Sequence, residues 1–228
     1  MKTFRVILMD LDGTLFDFEA SEHESFFKAF SDNGIPVGEH AYRRYHLINQ
    51  QLWGMLERGE IGLPSLKVER FRRTMDEMKL KGDPAAINRS YVKHLSNSAV
   101  LFDGAAEFCQ RLSQKYLICM VTNGLKENQY RRLSLSGLER YTHAMVTSEE
   151  AGAPKPEARI FQEALFRCRN PKKEECVLIG DSLAADVCGA LAFGIGAIWY
   201  NPKEIPPPQE KPLLTARTYE EILEFLNA

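Results

Sequence analysis

The chain has 228 residues, 44% of them hydrophobic and 26% charged, with a formal net charge of -2. That is enough chain for one large domain or for a core with a smaller insertion. The near-neutral balance excludes a global attraction for nucleic acid or an anionic membrane, and no apolar stretch approaches the roughly 20 residues of a membrane span. The five cysteines, Cys109, Cys119, Cys168, Cys176 and Cys188, form no C-x-x-C pair, which fits free thiols in a reducing compartment. The histidines lack the spacing of a zinc site. The apolar run that follows Lys2 is broken by two acids, unlike a signal peptide, so a cytoplasmic location is expected.

The run Phe4 to Met9 reads as a buried parallel strand. From Asp17 to about residue 96 the pattern is helical. Phe26, Phe27 and Phe30 mark one amphipathic segment, closed by Asn33-Gly34. A second carries Tyr45, Ile48, Leu52, Met55 and Leu56, and a third carries Val68, Phe71, Met75 and Met78. Asp83-Pro84 reads as an N-cap with proline in the first turn of a fourth. Strand and helix patterns then alternate. Helices are expected at Asp103–Gln114, Glu127–Ser136, Glu157–Cys168 and Leu183–Phe193. Strands are expected at Leu117–Val121, Ala144–Thr147, Cys176–Ile179 and Ala197–Tyr200. A proline-rich surface loop over 205–212 precedes a last amphipathic helix with Ile222, Leu223, Phe225 and Leu226. The alternation implies an α/β fold, a Rossmann-like parallel sheet with helices on both faces. An all-helical module, residues 17–96, interrupts a core of residues 1–16 and 97–228.

Polar clusters follow the strands. Asp10 and Asp12 come directly after the first strand, where open α/β sheets hold ligands. On an extended chain, residues i and i+2 point the same way, so both carboxylates are expected to face one site. Crowded carboxylates call for a divalent metal, an acid–base pair, or both. Thr122-Asn123-Gly124 follows the second strand. Lys155 lies in Gly152-Ala153-Pro154-Lys155-Pro156, and Gly180-Asp181-Ser182 follows a later strand, with Asp186 beyond. Taken singly, each reads as a turn, a cap or a surface residue. Together they suit phosphoryl transfer: a phosphate dianion approaching a carboxylate needs a cation and a lysine to offset repulsion, and loop N–H groups with a threonine hydroxyl to hold its oxygens.

The four clusters, in this order, resemble the four motifs of the haloacid dehalogenase superfamily, across essentially the whole chain. The helical insertion resembles that superfamily's C1-type cap, whose opening and closing would gate water. The resemblance implies that Asp10 is the nucleophile forming an aspartyl-phosphate, and that Asp12 protonates the leaving alcohol and then activates water. It implies Mg²⁺ held by Asp10, the backbone carbonyl of Asp12, and Asp181. Thr122, with the amides of Asn123 and Gly124, would bind the phosphoryl group. Lys155 would bridge Asp10 and phosphate, and Asp186 would orient neighbours of the metal or of Lys155.

The second aspartate selects among chemistries, because a halide leaves without a proton whereas an alkoxide needs one. That favours a phosphomonoesterase or phosphomutase. The segments Leu47–Trp53, Glu57–Ile61, Gln129-Tyr130-Arg131-Arg132-Leu133 and Trp199-Tyr200-Asn201-Pro202 are similar to the pyrimidine 5′-nucleotidase subfamily, including enzymes acting on noncanonical nucleotides. A small phosphorylated metabolite, a nucleoside monophosphate, is therefore the expected partner, with no nucleic acid polymer and no membrane, and the protein a monomer or small homo-oligomer. Trp53 and Asn49 are the candidates for base stacking and base hydrogen bonding. The alternatives are a sugar phosphatase, a β-phosphoglucomutase-like phosphomutase, for which His23 is the residue of interest, and a non-catalytic phosphometabolite-binding regulator. The last would not require Asp12.

Overall fold

The computed structural model describes residues 4–206 and 211–227, so part of the expected proline-rich loop, 207–210, lies outside the described residues. In chain order the elements are β1 (Val6–Met9), α1 (Phe18–Asp32), α2 (Glu39–Glu57), α3 (Leu63–Met78), α4 (Pro84–Ser96), α5 (Ala105–Ser113), β2 (Leu117–Thr122) and α6 (Lys126–Leu135). They continue with β3 (Ala144–Thr147), α7 (Ser148–Ala151), α8 (Ala158–Arg167), β4 (Cys176–Gly180), α9 (Gly189–Phe193), β5 (Gly196–Tyr200), β6 (Leu214–Ala216) and α10 (Tyr219–Asn227). The chain divides into two compact units: residues up to Phe18 together with those from Ala99 onward, and Glu19–Ser98.

The first unit is built on a six-stranded sheet of order β3-β2-β1-β4-β5-β6. Every pairing in it is parallel. Alternate residues of a strand face opposite sides, and β1 divides accordingly. Ile7 and Met9 join Met120, Ile179, Phe108 and Ile222 in one apolar layer. Val6 and Leu8 join Val121, Leu178, Phe161 and Trp199 in the other. Both faces of the sheet are thus covered, which explains why its strands are continuous apolar runs.

Three elements depart from the expected pattern, one of them the four-residue helix α7. The short edge strand β6 pairs with β5 through Leu214, Thr215 and Ala216; three residues carry too little periodicity to be recognised. The expected continuous helix Leu183–Phe193 begins instead as a π-helical turn, Leu183–Cys188, before α9. At its start the Ser182 hydroxyl accepts from Ala185 N at 3.1 Å, and the Ser182 N–H donates to Asp186 Oδ2 at 3.0 Å. Such wide turns occur often at functional sites.

The helical unit holds an aromatic interior. Phe71 stacks on Tyr45 at 5.0 Å between centroids and meets Tyr91 edge-on at 5.3 Å. Asp83 caps α4 by accepting from Ala85 N at 2.9 Å, with Pro84 in the first turn, as its sequence signature implies. Beside the rings lies a buried polar network. Glu22 accepts from Asn49 Nδ2 at 2.6 Å and meets His46 Nδ1 at 2.7 Å. Asn49 Oδ1 in turn accepts from Arg70 at 3.4 Å, and Arg70 lies over the Tyr91 ring at 4.5 Å. Among the described residues no helix is long and apolar enough to cross a membrane.

Phe71 is fully buried, and truncating such a ring removes its transfer energy and leaves a cavity. Phe71→Ala is expected to destabilise the helical unit by about 3–5 kcal/mol, read as a lower urea midpoint in the far-ultraviolet circular dichroism of the helices. A shift below about 1 kcal/mol would show that the ring interior does not hold the unit together.

Candidate active site

The central strands end at one edge of the sheet, and their polar residues emerge there. Asp10 follows β1 directly, and its N–H continues the pairing with β4 by donating to Ile179 O at 2.9 Å. The chain then turns. Leu15 N and Phe16 N both donate to Leu11 O at 2.8 Å, and Gly13 takes φ +89°. A Cβ on Gly13 would run into the Asp181 carboxylate. This glycine therefore serves both the left-handed turn and the close approach of the loop after β4.

Lys155 ties the loops together. Its side chain is 2% exposed, and Nζ donates to Asp10 Oδ1 at 2.6 Å and to Asp186 Oδ1 at 2.7 Å. The loop is held from the end of β2: Asn123 Oδ1 accepts from Lys155 N at 2.7 Å, and Asn123 Nδ2 donates to Lys155 O at 3.0 Å. Thr14 Oγ1 donates to Asp10 Oδ2 at 2.9 Å and lies 3.4 Å from Asp181 Oδ1. Trp199 Nε1 donates to Asp181 O at 2.9 Å, fixing the loop after β4.

Carboxylate oxygens of Asp10, Asp181 and Asp186 lie within 4.8 Å of one another. With all three carboxylates ionised, one ammonium would leave an excess of two negative charges in a largely buried space. Burial, with the charges of Asp186 and Asp12, pushes Asp10 up to about 7 against the pull of Lys155. Burial, with the charges of Asp10 and Asp186, holds Asp181 well above the usual carboxylate range. Burial alone would lower Lys155, but Asp10 and Asp186 outweigh it and raise the ammonium above its ordinary range. Hard oxygen donors with uncompensated charge suit a small divalent cation.

Asp12 takes a different course. Its side chain has partners other than those of Asp10. Arg132 Nη1 donates to Asp12 Oδ1 at 2.5 Å, and Gln129 Nε2 donates to Asp12 Oδ2 at 2.5 Å. Gln129 Nε2 also reaches Thr122 Oγ1 at 3.0 Å, which accepts in addition from Gly124 N at 3.0 Å. Asp10, Asp12, Thr122, Asn123, Gly124, Lys155, Asp181 and Asp186 thus belong to one set of connected loops in the first unit. Asn49 and Trp53 belong to the helical unit, where Trp53 is half-buried against Ile48, Leu52, Leu56 and Leu66. The roles of Gln129 and Arg132 escape sequence reasoning. Their signals are an i, i+3 polar pair on a helix that directly follows the Thr122 loop and a place in the segment that resembles the pyrimidine 5′-nucleotidases, neither of which points to Asp12.

The family profile of haloacid dehalogenase-like hydrolases matches residues 4–194. The HAD-hydrolase YfnB of Bacillus subtilis is 33% identical over 228 residues, all of this chain and 97% of that protein. A crystal structure of YfnB bound to magnesium superposes with a TM-score of 0.93 over all of both chains. The pyrimidine 5′-nucleotidase PynA of Streptococcus pneumoniae is 30% identical, covering 98% of this chain and 95% of PynA. The pyrimidine 5′-nucleotidase YjjG of Escherichia coli is 26% identical, covering 96% of each.

The raised carboxylates make stability depend on pH. The Asp10 pKa is about 7 in the folded protein against an ordinary 3.8. Over that interval the folded state keeps a proton that the unfolded state has released, so the stabilisation present at low pH is lost as pH rises toward 7. In chelator, the melting temperature is expected to fall between pH 5 and pH 7.5. A saturating divalent cation should offset that fall, and Asp10→Asn should make it shallower. A melting temperature that rises across the interval in chelator would contradict this account of the charges.

Proposed function

The chain belongs to the haloacid dehalogenase-like hydrolases, and on that basis we propose that it is a phosphomonoesterase of nucleoside 5′-monophosphates working through an aspartyl-phosphate. The observation that carries this reading is the Asp10 carboxylate held by a buried lysine beside two further carboxylates. Asp10 attacks phosphorus, and the ester P–O bond breaks. Asp12 gives its proton to the departing alkoxide, which leaves as the alcohol. Water then attacks the phosphorus of the aspartyl-phosphate and yields a proton to Asp12, and Asp10 is released as a carboxylate together with phosphate. Lys155 supplies positive charge beside the attacking oxygen, and Thr122 with the loop amide of Asn123 holds the phosphoryl oxygens, the Gly124 N–H being engaged by Thr122 Oγ1. Asp186 keeps the Lys155 ammonium aimed at Asp10. Asp10, Asp181 and the Asp12 carbonyl would hold Mg²⁺, which offsets the repulsion between the phosphate dianion and the carboxylates.

Two relatives named as pyrimidine 5′-nucleotidases align over almost the whole chain, helical unit included, and this supports a nucleotide as substrate. Asn49 has its amide engaged by Glu22 and Arg70, so we assign it to positioning within the helical unit and keep Trp53 as the side chain for base stacking. The five free cysteines agree with a cytoplasmic location.

With Mg²⁺, phosphate release from uridine and thymidine 5′-monophosphates is expected to exceed release from hexose phosphates, glycerol phosphate and phosphoserine. Robust release from sugar phosphates with none from nucleotides would overturn the nucleotide assignment. Asp10→Asn is expected to abolish turnover while circular dichroism stays that of the parent; activity at the parental level would refute the nucleophile. Since base stacking on an aromatic ring is worth about 1–3 kcal/mol, Trp53→Ala is expected to raise KM for uridine 5′-monophosphate about tenfold more than KM for 4-nitrophenyl phosphate.

A further inference from the structure

Gln129 and Arg132 are each 1% exposed, whereas the Asp12 side chain between them is 23% exposed. A guanidinium is costly to bury, and an ion pair inside a protein contributes no more stability than apolar residues of similar size. The arrangement therefore calls for another reason. Both residues stand on α6, three apart and hence on one face. Arg132 is wedged over the Phe16 ring at 4.3 Å, so its height beside the Asp10–Phe16 loop is fixed by packing. Arg132 Nη1 also meets Gln129 Oε1 at 3.3 Å. That contact settles which end of the carboxamide is which and turns Gln129 Nε2 toward Asp12 and Thr122.

Two consequences follow from the donors and acceptors alone. Each oxygen of Asp12 has one firm donor, so the carboxylate cannot rotate freely or swing toward Lys155. Thr122 Oγ1 accepts from both Gln129 Nε2 and Gly124 N, which fills its two lone pairs and leaves its proton to donate. A Cβ on Gly124 would collide with the Gln129 carboxamide, so the loop makes room for this contact in particular.

We propose that Gln129 and Arg132 are positioning residues of the reaction: a clamp that aims the Asp12 carboxyl at the leaving oxygen. The inference rests on the phosphomonoesterase reading above. Its scope is the proton-transfer step, since the Asp10–Lys155–Asp186 set is held by other contacts.

The test uses leaving groups of graded basicity: phenyl, 4-nitrophenyl and 2,4-dinitrophenyl phosphates, whose phenolates become less basic in that order and need a proton progressively less. Single-turnover release of the phenol is followed with Mg²⁺ in Arg132→Met, which keeps a long side chain over Phe16, in Arg132→Lys and in Gln129→Met. Misaiming a general acid is expected to slow release from phenyl phosphate about 10- to 100-fold, while release from 2,4-dinitrophenyl phosphate stays within about threefold. The plot of rate against leaving-group basicity steepens accordingly. Arg132→Lys is expected to lie between Arg132→Met and the parent. In an Asp12→Asn background, Arg132→Met is expected to add no further loss, because the group it aims is already gone.

Equal loss on all three esters, or no loss on any, in variants whose melting curves remain cooperative would overturn the proposal. So would a full further loss in the Asp12→Asn background. Should Arg132→Met fail to fold, Gln129→Met carries the same comparison, since it removes no charge. A parent protein inert toward every phosphate ester would instead overturn the phosphomonoesterase reading, a result distinct from an active parent whose clamp variants show no dependence on leaving group.

Discussion

A lysine ammonium with almost no access to water must find its acceptors inside the protein, and Lys155 finds them in Asp10 and Asp186. The rest of the site depends on this. Asp10 comes from the end of β1, Asp186 from the wide turn after β4, and the Lys155 backbone is clasped by Asn123 from the end of β2. One buried cation thus draws three strand ends into register with the loop after β3. Its attraction only partly offsets the carboxylates, and burial still pushes Asp10 and Asp181 upward. A site that remains too negative after its own lysine is counted is suited to receive a cation and, through it, an anion.

The two aspartates of the first loop are held by different partners. Asp10 enters the lysine-centred cluster. Asp12 is held by Gln129 and Arg132 of α6. Two carboxyl groups close together in one environment would compete for one proton. Different partners, an ammonium for one and a guanidinium with a carboxamide for the other, place the two in different electrostatic environments.

The helical unit follows its own logic. Its interior combines stacked rings with a buried Glu22–Asn49–Arg70 network. Between Arg43 and Lys81 the sequence has more basic than acidic residues, yet several of these form ion pairs on the helix surfaces, including Arg44 with Glu77 and both Arg72 and Arg73 with Glu69. Such exposed pairs contribute little stability, and they also blunt the field that unpaired arginines would present to an anion.

The sequence by itself determined the elements whose signal is local. Apolar runs ending in polar clusters gave β1 through β5, the 3.6-residue pattern gave four helices in succession, and Asp83-Pro84 marked the start of α4. The order of Asp10, Thr122, Lys155 and Asp181 was legible for the same reason: Asp10, Thr122 and Asp181 sit where their own strands stop, and Lys155 lies in the loop beyond the short helix that follows β3. Tertiary structure decided what depends on partners distant along the chain. The edge strand Leu214–Ala216 exists because β5 offers it hydrogen bonds. At the π-helical turn from Leu183 the Asp186 carboxylate reaches back to Ser182 N while also accepting from Lys155. Asn49, polar and placed on a helix, was drawn inward by Glu22 and Arg70. Gln129 and Arg132 look like ordinary polar residues of a helix until the fold brings Asp12, 117 and 120 positions away, against them. Periodicity records which face of an element is buried, but not which charge waits on the other side, and hydrogen bonding between loops is settled only once the sheet has set their distances.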